Sequence, residues 1–195
     1  MDIATLFLER HDNLRGWMSP LADAPDGDWR ARPHGVNPIG WLVWHMARCE
    51  DVGVNRLVFD RPQVLDDPAA RWTERMNVPW RHHGATMTSA EVDELAGRAD
   101  VPALWAYYTA VRDRTRELVG GGLRDEVLDP LVEPAHLRRV LFDEGMLRPE
   151  HPWNRDAPPF ATQTRGNLLI LFGMTHNYGH WHDISAVRGF LSATG

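Results

Sequence analysis

The chain has little cysteine and no lysine. Its single cysteine, Cys49, excludes an internal disulfide. All 21 basic residues are arginines, which also excludes Schiff-base chemistry on a lysine side chain. No sequence neighbour indicates a lowered pKa for the Cys49 thiol, so we expect a small buried residue there rather than a nucleophile.

Long hydrophobic runs and basic clusters are also lacking. The longest apolar stretch, residues 168–172, is far shorter than the ~18 residues of a membrane span. The N-terminus lacks the charged and apolar regions of a signal peptide. A net charge of −6 without a basic cluster argues against nucleic acid as a partner. We therefore expect a cytoplasmic protein that acts on a small-molecule substrate without a membrane, and a homodimer remains open.

Four segments have the periodicity of long amphipathic helices. They comprise residues 2–21, residues 37–59, residues from about 101 to the glycines at 120–122, and residues 162–191. The chain shows no alternating strand pattern of useful length. These patterns predict one all-α domain over residues 1–195, a four-helix bundle with long connections at residues 60–88 and 123–162. Short helices are predicted within them, near residues 68–76 and 137–141.

One buried face is predicted for each of the first two helices. The predicted stripe of the first helix is formed by Ile3, Leu6, Phe7, Leu14, Trp17 and Leu21. That of the second is formed by Trp41, Leu42, His45, Cys49, Val52 and Phe59. Asn37 and Pro38 predict the start of the second helix, because Asn caps helices well and Pro is favoured at the first helical position. Glu50 and Asp51 lie off the apolar face, which predicts solvent exposure or pairing with arginine.

A histidine pair in the last helix is the strongest chemical signal. His176 and His180 are four residues apart, which places their imidazoles about 40° apart around a helix axis. This spacing suits two ligands of one divalent metal. His45 lies on the apolar face of the second helix and is the natural third ligand, which would leave a position open for water or substrate. The alternative is that these are hydrogen-bonded core histidines.

Several residues are candidates for roles around this site. Asp183 shares the face of the histidine pair and could orient an imidazole or move protons, with a salt bridge as the alternative. His82 and His83, in the first long connection, could serve as acid, base or substrate contacts, or form a surface pair. Trp41 is a candidate lining residue for a substrate pocket, and Arg188 a candidate for binding an anionic substrate group, or for a structural ion pair.

Two motifs of the chain resemble the DinB/YfiT-like superfamily. Residues 38–51 resemble the second-helix motif of that family, and residues 176–191 resemble its fourth-helix motif. The resemblance implies a four-helix bundle in which one histidine of the second helix and two of the fourth bind a divalent metal. Carried over to this chain, these residues are His45, His176 and His180.

The resemblance also implies an enzymatic activity. Relatives include mycothiol-dependent maleylpyruvate isomerase and transferases that use bacillithiol or mycothiol. We therefore expect a metalloenzyme, with zinc or nickel and iron as the alternative, that acts as a small-thiol transferase or isomerase with mycothiol as co-substrate. A metal-assisted hydrolase and a non-catalytic metal- or ligand-binding stress protein are the other hypotheses.

The chain departs from the family pattern in two places. The family usually has Gly-Gln where this chain has His182 and Asp183, which puts a carboxylate where an amide is common. His182 is rotated roughly 120° from His176 around the helix, so we expect it to be peripheral. Residues 123–162 are longer than the corresponding family connection and could reshape the mouth of the pocket.

Overall fold

Helices make up the fold of this protein. The computed structural model describes residues 2–193, apart from the side chain of residue 125, and this part of the chain contains no strand. The predicted all-α class is therefore confirmed. The first residue and the last two residues of the predicted domain lie outside the described residues. Across residues 2–193, no helix has the length and apolarity needed to cross a membrane.

Four long helical segments dominate, and two of them contain π-helical turns. Helix α1 is Ile3–Met18. Helix α2 is Ile39–Glu50, continued by π-helical turns over Asp51–Val58. Helix α3 is Val101–Gly120. Helix α4 consists of Arg165–Ile170, a π-helical stretch over Leu171–Thr175, and His176–Ser192. All four lie within about three residues of the predicted bounds.

Shorter helices occupy the connections. The α-helical ones are Asp26–Arg30, Trp72–Arg75, Ser89–Arg98, Asp125–Leu128 and Pro134–Arg138, the last continued by a π-helical turn over Arg139–Asp143. The 3₁₀ turns are Ser19–Asp23, Pro33–Gly35, Val64–Asp66 and Pro152–Asn154. Both long connections thus contain the short helices that the sequence predicts.

Capping side chains explain where helices begin. Asp2 accepts a hydrogen bond from the backbone N–H of Thr5 at 2.8 Å and starts α1. Asp100 does the same for Ala103 at 2.9 Å and starts α3. The predicted cap of α2 is wrong by one residue, because the capping position is held by Pro38, whose backbone is extended, without a side-chain hydrogen bond.

Helix α2 is the centre of the packing. Its residues contact α3 and α4, while α1 contacts the same two helices. Every residue from Ile39 to Asn55 is buried, so α2 has no solvent face. The prediction of a single buried face is wrong because the connection over residues 60–88 packs across the outer side of α2, with Leu65 and Trp72 joining the core.

The predicted stripe of α1 is only partly correct. Phe7, Leu14 and Leu21 are buried. The other three predicted residues are exposed: Ile3, Leu6 and Trp17. The buried face of α1 instead runs through Phe7, His11, Leu14 and Met18. This face also has helical spacing. The prediction from the sequence did not include His11 because histidine is polar, and it did not include Met18.

Glycines allow close approach between α2, α4 and α1. A Cβ atom at Gly53 in α2 would lie 2.1 Å from the Phe172 ring of α4. A Cβ atom at Gly173 in α4 would lie 2.7 Å from the Phe7 ring of α1. Both glycines lie in π-helical turns, which are often found at functional sites. The turn around Gly173 directly precedes His176.

Candidate metal centre

Helices α2 and α4 bring three histidines together. The ligand nitrogens of His45, His176 and His180 all lie within 4.8 Å of one another, so the group could hold a metal ion. The Nε2 atoms of His45 and His176 are 3.1 Å apart. The ring centroids of His176 and His180 are 4.5 Å apart, as their four-residue spacing predicts.

The far side of two of these rings is held by oxygen atoms. The Nδ1 atom of His45 contacts the backbone carbonyl oxygen of His83. The Nδ1 atom of His180 lies 2.8 Å from Oδ2 of Asp183. Carbonyl and carboxylate oxygens only accept hydrogen bonds, so each ring donates its Nδ1–H and carries its lone pair on Nε2.

This donor set fits a divalent metal. Ligating histidines bind through one ring nitrogen and donate the other N–H to a carbonyl or carboxylate, and both arrangements occur here. Nε2 of His45 carries a lone pair, so Nε2 of His176 at 3.1 Å must either donate its own proton to it or share a metal cation with it. Three imidazole nitrogens facing one point meet the ligand number of an open zinc site.

Burial keeps these rings in the neutral form that metals bind. His45 is 7% exposed, and burial together with His176 lowers the pKa of His45 well below its ordinary value. Burial and the neighbouring His180 lower the pKa of His176 to about 4. Both rings are therefore neutral at pH 7.

A second group that could hold a metal ion contains His45, Cys49 and His83, but the ring of His83 offers it no free lone pair. The Cys49 thiol lies 3.9 Å from both ring nitrogens of His45, and burial raises its pKa, so it is protonated when no metal is bound. The Nδ1 atom of His83 accepts the backbone N–H of Ala85 at 3.0 Å, which puts the ring proton on Nε2. Cys49 is the small buried residue that the sequence predicts.

The two candidate histidines of the connection take different positions. His83 is buried beside His45, with ring centroids 5.4 Å apart, and its backbone N–H donates to the carbonyl of Met146. His82 turns away and accepts from Nε of Arg148 at 3.1 Å. Burial, then the Arg148 charge, lowers the pKa of His82 to about 4. The two long connections of the chain therefore meet at these histidines.

The remaining candidates lie at and around the cluster. Trp41 stacks on His45, with ring centroids 4.7 Å apart and an interplanar angle of 12°. Asp183 lines a cleft of about 390 Å³ between the start of α2 and the second half of α4. The apolar walls of this cleft include Val36, Leu42, Ala186, Val187 and Phe190. Arg188 is exposed and does not line the cleft, and His182 is exposed, as predicted.

Two buried ion pairs involve residues of α2 that follow His45. Arg48 lies 3.3 Å from Asp51, and Arg112 lies 2.7 Å from Glu50, with all four side chains at most 1% exposed. The predicted arginine pairing is therefore confirmed, and the predicted solvent exposure of the carboxylates is wrong. Burial raises the pKa of Glu50, but Arg112 and His11 outweigh it and hold the pKa at about 2.

Arg112 and Asn177 were not among the residues predicted from the sequence, although the sequence does contain a signal for Arg112. Arg112 lies on the apolar face of α3, between Tyr108 and Thr115, where an unpaired charge would be costly. A buried carboxylate on another helix is the expected partner of such a residue. Asn177, adjacent to His176, has no sequence signal of its own.

The fold and the histidine group together define an all-helical protein with a three-histidine group able to hold a metal. The chain belongs to the DinB superfamily, whose family profile matches residues 6–184. Membership in this family was expected from the motifs around His45 and His176 and is confirmed. No curated protein matches the chain.

Proposed function

We propose that the protein is a divalent-metal-dependent enzyme whose metal ligands are His45, His176 and His180. The observation that carries this proposal is the convergence of their ring nitrogens, with Nδ1 of His45 and of His180 held by oxygen acceptors. Membership in the DinB superfamily supports it. We favour zinc or nickel over iron, because nitrogen ligands generally bind nickel(II) and zinc(II) more tightly than iron(II).

We further propose that residues 1–195 form one domain with the four-helix bundle of the DinB/YfiT type. In support, α2 contacts α3 and α4, and α1 contacts the same two helices, which closes a ring of four. Metal sites of such bundles lie between facing helices. In this arrangement His45 and the pair on α4 face each other across one helix–helix contact.

When bound, the metal lowers the pKa of a coordinated thiol or water so that the thiolate or hydroxide exists near pH 7. The protein supplies the surroundings. Trp41 covers one face of His45 and keeps water from that side. Asp183 orients His180 and presents its exposed carboxylate to the cleft, where it can accept a proton from an incoming nucleophile.

The other candidate residues receive narrower proposed roles. His83 holds His45 through its carbonyl oxygen, and its Nε2–H can donate to a bound anion. His82 accepts from Nε of Arg148 and thereby holds the connection that carries His83, which is a positioning role. Arg188 can contact an anionic group of a substrate that extends beyond the cleft.

We propose small-thiol transfer to an electrophile, or thiol-dependent isomerisation, as the reaction, with mycothiol as co-substrate. The mostly apolar cleft beside Asp183 supports an apolar acceptor molecule. A metal-assisted hydrolase is the second candidate, because the same site would activate water. A non-catalytic metal-binding stress protein is the third.

A turnover assay with the metal-loaded protein distinguishes these candidates. The protein is incubated with mycothiol and a panel of apolar electrophiles and esters, and products are identified by mass spectrometry. Thiol adducts or isomers that disappear in the His176→Ala variant support the proposed reaction. Hydrolysis without thiol consumption indicates a hydrolase. Metal binding without turnover of any panel member contradicts both enzymatic proposals.

A further inference from the structure

A buried amide lies between one proposed metal ligand and a buried carboxylate. Asn177 is 0% exposed, and its Nδ2 atom donates to Oε2 of Glu50 at 2.5 Å. Its Oδ1 atom faces Nδ1 of His176 at 3.4 Å. Asn177 is therefore placed to act on His176, although it faces away from the centre of the cluster.

The carboxylate that holds this amide is anchored from two other helices. Nη1 of Arg112 in α3 donates to Oε2 of Glu50 at 2.7 Å, and Nε2 of His11 in α1 lies 3.1 Å from Oε1. The same Nη1 atom lies 3.3 Å from the carbonyl oxygen of Gly173, in the π-helical turn just before His176. The side chain next to His176 and the backbone before it are thus tied to one ion pair.

The chemistry of Glu50 decides which way the amide points. A carboxylate only accepts hydrogen bonds, so the nitrogen of the Asn177 amide must face Glu50 and its oxygen must face His176. With a metal on Nε2, the ring proton of His176 would be on Nδ1, where this oxygen would accept it. A reversed amide would present a donor to Nδ1 and move the ring proton to Nε2, the atom that faces His45.

We propose that Asn177, oriented by Glu50, is a positioning residue that accepts the Nδ1–H of His176 and holds the ring with Nε2 towards the metal. It does for His176 what the His83 carbonyl and Asp183 do for the other two histidines. This inference rests on the proposed metal site.

A matched pair of substitutions tests the role of Asn177. Asn177→Leu keeps the volume of the side chain and removes the amide. Asn55→Leu is the control, because Asn55 is also 0% exposed and donates at 2.7 Å to a buried, arginine-paired carboxylate, Asp51. In contrast to Asn177, Asn55 has no hydrogen bond to a histidine of the cluster. Both variants lose one amide–carboxylate bond, so both should unfold at lower temperature.

The first readout is the ring proton of His176. Long-range ¹H–¹⁵N NMR of the zinc-loaded protein at pH 7.5 reports which nitrogen of each imidazole carries the proton, and the signal of His176 is absent from His176→Ala. We expect a slowly exchanging Nδ1–H of His176 in the wild type and in Asn55→Leu, and a rapidly exchanging one in Asn177→Leu. Equal exchange rates in all three proteins, or zinc bound to Nδ1 of His176, would overturn the proposal.

The second readout is metal binding. We expect Asn177→Leu to weaken zinc binding by about 10- to 100-fold in a chelator competition, and to change the d–d absorption of the cobalt-substituted protein. Asn55→Leu should leave both unchanged. Equal losses in the two variants would show a general effect of stability and contradict the proposal. A wild type that binds no zinc would refute the proposed function and this inference with it, whereas equal losses in the two variants of a zinc-binding protein would refute this inference alone.

Discussion

Removing Arg48 should destabilise the protein strongly, because this side chain joins α2 to the connection that covers the histidines. Arg48 is 0% exposed. It donates to the carbonyl oxygen of Arg81 at 2.9 and 2.6 Å, to Gln63 at 2.8 Å and to the Tyr107 hydroxyl at 3.0 Å, and it lies 3.3 Å from Asp51.

The magnitude follows from what Arg48→Met leaves behind. Breaking a buried ion pair by removing one partner costs about 3–5 kcal/mol. Asp51 keeps four other donors: the hydroxyl of Tyr107, the amide of Asn55 and the backbone N–H groups of Val64 and Leu65. The carboxylate therefore stays solvated by the protein, and we expect the lower end of this range, about 3 kcal/mol.

Urea unfolding of the metal-free protein measures this loss. The control is Arg114→Met, which removes an exposed ion pair with Glu117 and should cost less than about 0.5 kcal/mol. We also expect Arg48→Met to weaken zinc binding, because Arg48 binds the carbonyl of Arg81, two residues before the His83 carbonyl that contacts His45. An Arg48 variant as stable as the Arg114 variant would contradict this prediction.

Three further predictions follow from buried contacts. The ion pair with Arg112 holds the pKa of Glu50 at about 2, against an ordinary value of 4.5. Glu50 should therefore contribute about 3 kcal/mol to the free energy of unfolding above pH 4.5, and this contribution should disappear as the pH falls towards 2. In urea unfolding, the advantage of wild type over Glu50→Gln should shrink over this range, and a constant difference would contradict the low pKa. Gly84→Ala should lower the melting temperature, because φ of Gly84 is +92° and a Cβ atom there would lie 2.6 Å from the Trp44 ring. The control Gly97→Ala should raise the melting temperature, because Gly97 lies on a helix with open space around its Cβ position. Asp183→Asn should weaken zinc binding about 10-fold in chelator competition, and unchanged affinity would show that the carboxylate is dispensable.

The sequence predicts the helices and the histidine cluster well, for a physical reason. Helical periodicity determines which residues share a face, and the core-facing sides of two helices must meet. His176 and His180 were therefore predictable as a pair, and His45 as their neighbour. The glycines at 120–122 likewise predict where α3 ends.

What the sequence could not predict depends on contacts between distant segments. The carbonyl that holds His45 belongs to the backbone of His83, which carries no side-chain signal. Glu50 and Asp51 lie off the predicted apolar face of α2. Glu50 is buried against His11, Arg112 and Asn177 of the other three long helices, and Asp51 accepts from the backbone of the connection at residues 64 and 65. The orientation of Asn177 depends on a carboxylate 127 residues away in the chain.

Elemental analysis of the tag-free protein tests the three-histidine metal site. We expect about one divalent metal per chain in the wild type, and loss of that metal in each of the His45→Ala, His176→Ala and His180→Ala variants. A wild type that is purified without metal and also binds neither added zinc nor added nickel would show that these histidines form no metal site.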